Sequence, residues 1–349
     1  MKVGVQSNGR RVVETASVTP DRILKLGHAF RAAKTLLSAV ELGVFTALAD
    51  GPLDLQTASK RAGIHERGAR DFFDALVAMG MLDRDASGCY ANAPDADLYL
   101  DRRKPSYVGG ELEHFGKYVF PHWSLLTPAL QTGEPQSGTR SAGHYSALYA
   151  DPATLETLVK GMTGGTLLVA NTLAAKFPWQ DYKTFLDVGT AQGCLPVQVA
   201  QAHPHLTGGG FDLPPVKPHF DNHVQQHGLS HRLRFHPGSF LEDPLPAADV
   251  VVLGRILHNW DLTAKRMLLK KSYKALPAGG ALIVYERLID DDRRVNAPAL
   301  LASLNMLIMT AGGFDFTGAD CTSWMRDAGF HGMCTESLTA EISMVVGIK

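Results

Sequence analysis

From Lys183 onward, short runs rich in β-branched and aromatic residues ("TFLDVG", "TGGGFDL", "RLRFHPGS", "ADVVVLGRIL", "ALIVYERLI") alternate with helix-length segments. Runs that far apart cannot be joined by hairpin turns, so the alternation predicts a parallel sheet with helices on both faces. The last two runs, "MCTESLT" and "ISMVVGIK", follow each other too closely for a crossover helix and are expected to form a terminal antiparallel pair. In such an α/β sheet, ligands lie outside the carboxyl ends of the strands. The residues just after each run are therefore the first candidates for function.

The first run leads into "TFLDVGTAQGC", Thr184 to Cys194. A P-loop would need GxxxxGK[ST], and a dinucleotide fold GxGxxG, so that backbone and lysine can reach phosphates. Here the spacing is Gly189-x-x-x-Gly193, with no lysine or arginine nearby. This suits a ligand that packs closely but carries no phosphate. Asp212 ends the next strand, 23 residues after Gly189, where a carboxylate can accept hydrogen bonds from both ribose hydroxyls. A ribose without phosphate suggests S-adenosylmethionine; a plain strand-turn-helix with glycines for tight packing fits these two features as well. "LGRILHNWD", Leu253 to Asp261, then brings His258 and Trp260 to the carboxyl end of the fourth strand, and Tyr285-Glu286 ends the fifth. A lone histidine is more often structural; beside a carboxylate at the ligand edge it is a candidate base with its orienter.

Ahead of the sheet, "LKLGHAFRAAKTLLSAVELGVFTALAD" carries apolar residues at helical spacing. "LDLQTASKRAGIHERGARDFFDALVAMGMLDRD" reads as two helices around a turn at Gly63, and "MLDRDASGCYAN" as a β-wing turning at Ser87-Gly88. Such a winged helix can bind DNA. However, Gly51 to Arg84 balances five Lys/Arg against five Asp/Glu, where a DNA-reading module should be basic. Dimerisation or packing is the better reading. The stretch from Tyr107 to Lys176 is helical and aromatic, with Phe115, Tyr118, Phe120, His122, Trp123, Tyr145 and Tyr149, and is interrupted by the loop "QTGEPQSGTRSAG". Most of these rings are expected in the core, a few on a pocket wall. The domain organisation is thus a winged-helix module over 1–105, a helical connector over 106–178 and a ligand-binding domain over 179–349.

With 349 residues, 45% of them hydrophobic, the chain can build more than one core. A net charge of −1 gives no electrostatic support for nucleic-acid or anionic-membrane partners. No apolar run approaches the roughly 18 residues of a spanning helix, and the first twenty residues lack a signal-peptide core. Cys89, Cys194, Cys321 and Cys334 are scattered, which disfavours a disulfide framework or zinc site and suggests a cytoplasmic protein.

The ordered set "LDVGTAQG", "GFDLP", "PGSF", "RILHNW", "ALPAGGALIVYE" and "GGFDFT" resembles the plant- and bacterial-type small-molecule O-methyltransferases, the group of caffeate, acetylserotonin and polyketide O-methyltransferases. The resemblance covers nearly the whole chain. It implies a class I methyltransferase sheet after a winged-helix dimerisation domain, a homodimer, S-adenosylmethionine as methyl donor with S-adenosylhomocysteine as product, no metal, and a small aromatic acceptor. By position, Asp187, Gly189, Asp212, Leu213, Gly238, Ser239, Phe240, Arg255 and Thr166 would meet the cofactor. His258 would be the general base, flanked by Glu286 and Asp315. Met162, Trp260, Asn305, Met306 and Met309 would meet the acceptor. The chain departs from the family pattern at Thr190 and Ala191, where the family loop has glycines, and at Ser239, where it has an acidic residue. Asn259 stands for the aspartate of "HDW", and Asp315 for a glutamate. Carbon or nitrogen methylation of an aromatic acceptor is the main alternative; a winged-helix regulator with a sensor domain and a nicotinamide oxidoreductase are weaker ones.

Overall fold

The computed structural model describes residues 18–137, 149 and 151–349. Tyr145, the part of the expected loop beyond Ser137, and the first 17 residues lie outside the described residues.

The chain opens with helices Asp21–His28 and Phe30–Glu41. Helix Leu55–Ala62 starts at Asp54, whose carboxylate accepts from the Thr57 amide at 3.0 Å, and ends at Gly63 in the left-handed conformation. Helix Glu66–Ala78 follows, then strands β1 (Leu82–Arg84) and β2 (Tyr90–Asn92), paired antiparallel as a wing. Within the wing turn the Asp85 carboxylate accepts from the amides of Ser87 and Cys89. Phe45, Phe73, Leu76, Leu82 and Tyr90 form the core beneath it. The first helix buries none of its residues, and Ile23, Leu24, Leu26 and Phe30 stand exposed beside one another.

The connector runs through helix Gly109–His114, a π-turn over Phe115–Val119, helix Phe120–Trp123 and helix Leu126–Thr132. The long helix Pro152–Lys176 then leads into the sheet.

Seven strands make that sheet: β3 (Thr184–Val188), β4 (Thr207–Asp212), β5 (Leu233–Pro237), β6 (Val250–Gly254), β7 (Ala281–Glu286), β8 (His331–Ser337) and β9 (Ser343–Ile348). They lie in the order β5-β4-β3-β6-β7-β9-β8. The first five are mutually parallel. β9 is antiparallel to β7 and to β8, which gives the expected terminal pair. β6 and β7 are nearly continuous apolar runs because helices cover both faces. Phe185, Val250 and Ile283 point into one core layer, and Leu186, Val251 and Leu282 into the other. The chain leaves β3 toward β4 on one side and later returns to β6 on the other, so the crevice of a doubly wound sheet opens at the end of β3. No described helix is long and apolar enough to cross a membrane.

Candidate active site

A cavity of about 520 Å³ lies at that crevice, within the range of small-molecule sites. Met162, Thr166, Asp187, Gly189, Asp212, Leu213, Gly238, Ser239, Phe240, Arg255, His258, Trp260, Asn305, Met306 and Met309 all line it. Glu286 and Asp315 do not reach the cavity: each is 1% exposed and sits behind His258.

The β3 loop is built around Asp212. Its carboxylate accepts from the backbone amides of Ala191 (2.9 Å) and Leu213 (2.8 Å). Burial pushes Asp212 up to about 6 and the neighbouring Asp187 up to about 7. Thr190 replaces a family glycine because the facing strand gives way: a Cβ on Gly210 of β4 would fall 2.2 Å from the Thr190 methyl. Ala191 is different. Its φ is +49°, a region glycine adopts freely and alanine does not, and the bond to Asp212 holds it there.

Farther along the edge, the Ser239 amide donates to Asp243, and Lys271 donates to the carbonyls of Phe240, Leu241 and Asp243 at 2.8–2.9 Å. Glu242, not anticipated from the sequence, also lines this end. Trp260 was expected at the acceptor, yet it packs edge-on against Phe240 at 5.8 Å, a residue expected at the adenine. The 3₁₀ turn Leu257–Asn259 carries the chain from His258 to Trp260, and both side chains line the cavity.

Arg255 also has positive φ, +54°, a sparsely populated conformation for a non-glycine residue. Its amide donates to the Tyr285 carbonyl, and its own carbonyl accepts from the Asn259 side-chain amide at 3.1 Å. That second bond needs an N–H donor, which explains why asparagine serves where the family has aspartate. The Arg255 guanidinium pairs with Glu111 of the connector at 3.3 Å.

The imidazole of His258 turns Nδ1 toward two carboxylates, 3.4 Å from Asp315 Oδ1 and 3.8 Å from Glu286 Oε2. Asp315 therefore reaches the ring despite being one methylene shorter than glutamate. Burial alone would lower the His258 pKa, but Glu286 and Asp315 outweigh it and hold the group above 6.5. Burial likewise raises Glu286 above 4.5. With Nδ1 occupied in this way, Nε2 is the nitrogen left for the cavity. The three side chains, with one ligand atom each, lie within 4.8 Å of one another. The structure thus brings together the histidine and the two carboxylates that the resemblance set around it, with Nδ1–oxygen distances in the range of an ion pair.

The aromatic connector corrects another expectation. Phe115, Tyr118, His122 and Tyr149 line the cavity, more of the connector's rings than the few expected on a pocket wall. The π-turn over Phe115–Val119 lies within a stretch where residues 115, 118, 119 and 122 share one helical face. Beside them, burial and the Arg255 guanidinium lower His114 to about 4, which keeps it neutral. The Trp123 indole donates to Asn305 at 3.1 Å and ties this wall to helix Ala297–Met309.

The cavity's charge tests the cofactor independently. Its described lining holds three carboxyl groups, Asp212, Glu242 and the only partly ionised Asp187, against one guanidinium, Arg255. That balance repels a phosphate and suits a ligand carrying a sulfonium and an ammonium, while Asp212 still has lone pairs for ribose hydroxyls. Sheet, crevice and lining together define an S-adenosylmethionine-dependent methyltransferase. The model of the O-methyltransferase domain matches residues 123–331, and that of the O-methyltransferase dimerisation domain matches residues 24–102. The chain belongs to this O-methyltransferase family. It is 44% identical to the tetracenomycin polyketide synthesis 8-O-methyl transferase of Streptomyces glaucescens over 330 residues, 95% of this chain and 97% of that one. It is 37% identical to an N,N-dimethyltransferase of Streptomyces rimosus over 311 residues, 88% and 90% of the two chains. Among solved structures it is similar to human N-acetylserotonin methyltransferase in complex with SAM, with a TM-score of 0.88, 25% identity and coverage of 97% and 99%.

The strained loop residue yields a direct test. At an ordinary helical position Ala→Gly costs roughly 0.5–1 kcal/mol. At Ala191 relief of the left-handed backbone should offset that cost, so Ala191→Gly should keep or raise the urea midpoint of unfolding. A clear fall in the midpoint would contradict the strain.

Proposed function

We propose that this enzyme transfers a methyl group from S-adenosylmethionine to a hydroxyl of a small aromatic metabolite, with His258 as general base and Glu286 and Asp315 as its orienters. The observation that carries the reading is the convergence of two buried carboxylates on Nδ1 of one imidazole at the cavity edge. A phenol of pKa about 10 is only about 0.1% ionised at pH 7, so a base that takes the proton as the new bond forms is worth roughly 10²–10⁴ in rate. The cofactor, when bound, supplies an electrophilic methyl group on its sulfonium. Asp212 would hold the ribose, Gly238, Ser239 and Phe240 would border the adenine with Trp260 behind them, and Arg255 would lie near the methionine end. Alignment of donor and acceptor contributes more than the base in favourable systems, about 7–11 kcal/mol. His258 then takes the phenolic proton at Nε2, and the two carboxylates stabilise the imidazolium, as the carboxylate of a catalytic triad does. We read the His258 cluster as metal-free.

The aromatic and methionine-rich wall, and the polyketide acceptor in the name of the Streptomyces glaucescens relative, support a flat phenolic acceptor and a place in secondary metabolism. Nitrogen methylation is the second reading, favoured by the Streptomyces rimosus relative. The exposed Ile23, Leu24, Leu26 and Phe30, at the start of the dimerisation domain and just before it, support a homodimer, and the four free cysteines a cytoplasmic setting. A panel of hydroxynaphthoates, polycyclic phenols, N-acetylserotonin and aromatic amines, incubated with S-adenosylmethionine and analysed by mass and NMR, should give an O-methyl product. Methylation confined to the amines would reject the hydroxyl reading.

His258→Ala should lower kcat at least about a hundredfold with S-adenosylhomocysteine affinity unchanged; near-parental turnover would end the base assignment. As a base His258 works only when neutral, so kcat/KM should fall as pH drops through its pKa. Because Glu286 and Asp315 raise that pKa, the acid limb should centre above 6.5. A limb centred below that value would contradict the carboxylate pairing. Asp212→Ala should weaken cofactor binding by calorimetry, and unaltered affinity would reject its ribose role.

A further inference from the structure

Lys265 lies in helix Leu262–Ala275, directly after the His258 turn, and has no exposed surface. Its ammonium donates to the carbonyl of Trp260 at 2.8 Å and to the carbonyl of Phe314 at 2.8 Å. Trp260 is two residues past His258; Phe314 immediately precedes Asp315. The two loops meet closely here, since a Cβ on Gly313 would fall 2.6 Å from the His258 carbonyl and one on Gly312 would fall 3.1 Å from Asp261. The geometry points to Lys265 as a positioning residue that sets the distance between His258 and Asp315 by tying their two loops to one ammonium. This inference rests on His258 being the base.

A lysine is an unusual choice for such a place. Fully buried lysines are rare unless paired, and an apolar side chain of the same length would fill the space without the cost of desolvation. The surroundings make the ammonium tolerable. Its Nζ lies 3.0 Å from the centroid of Phe314 and within 6 Å of those of Phe316 and Trp324, a face-on arrangement that attracts a cation. Burial pulls the group down to about 7, and Glu286, Asp315 and Asp261 act in the opposite direction. Either protonation state still has two N–H groups for the two carbonyls. What a methionine could not provide is the link between the loops. Asp315 reaches His258 across 3.4 Å from a loop held on its other side by the Asp315 amide donating to Ser303 at 3.1 Å and by the Phe316 carbonyl accepting from the Ile289 amide at 3.0 Å, while Lys265 is its tie to the His258 side. A small shift of that loop would withdraw the nearer of the two carboxylates from Nδ1.

The test is a double-mutant cycle between Lys265 and His258, read with the fastest phenol of the panel above. Lys265→Met should lower kcat about tenfold or more, with KM for S-adenosylmethionine and calorimetric affinity for S-adenosylhomocysteine within about twofold of the parent. Lys265→Gln, which keeps a donor for one carbonyl, should fall between the two, and it carries the same criteria if the methionine variant does not fold. In the His258→Ala background Lys265→Met should cost nothing further, because a residue that acts through the base has nothing left to position. Equal fractional losses in both backgrounds, a kcat within twofold of the parent, or a loss of cofactor affinity matching the loss of kcat would each overturn the inference. Failure of the base reading is seen separately, as near-parental turnover of His258→Ala alone, and that result would overturn both.

Discussion

Glu286 and Asp315 converge on one nitrogen of His258 from positions closed to solvent, and the rest of the catalytic half is arranged to make that tolerable. Taking an ionised group out of water costs on the order of several kcal/mol even after relaxation. The imidazole offsets part of this cost only if both carboxylates stay within reach. Their placement depends on elements far apart in sequence. Glu286 ends β7, whose register is fixed on both sides by β6 and β9, and Asp315 sits on a loop that packs backbone to backbone against the His258 turn. The positive φ of Arg255 and the side-chain bonds of Asn259 shape that turn.

Helix Leu262–Ala275 serves both halves of the site from behind. Its N-terminal end starts at Asp261, which accepts from the Ala264 amide, so the histidine turn runs straight into a rigid element. Lys271, on the same helix, gathers three carbonyls of the loop after β5. Neither lysine faces the cavity. Both act on loops that do, which separates the residues that touch ligands from those that hold them in place.

Much of this was legible in the sequence, for physical reasons. Strands buried on both faces must be continuously apolar, so β6 and β7 declared themselves as "VVVLG" and "ALIVYE". Too little chain between the last two strands left only an antiparallel pairing. The loop after β3 could be distinguished from phosphate loops by what it lacked. Other features depend on contacts between distant residues and left no local trace. Nothing near Thr190 foretells that Gly210, on the next strand, makes room for its methyl. The π-turn that accompanies the Phe115, Tyr118 and His122 wall has no composition of its own, so the rings read as core. Lys265 sits in a run of helix-forming residues where a lysine would ordinarily face water.

The acidic lining also bears on the return half of the catalytic cycle. In the proposed reaction the carboxyl groups of Asp187, Asp212 and Glu242 would favour a cofactor that arrives carrying a positive sulfur. Once the methyl group has left, that sulfur is an uncharged thioether, and the attraction it felt is gone. The same carboxyl groups would thus hold the spent cofactor less firmly than the charged donor, and the electrostatics of the cavity would favour exchange of product for fresh donor.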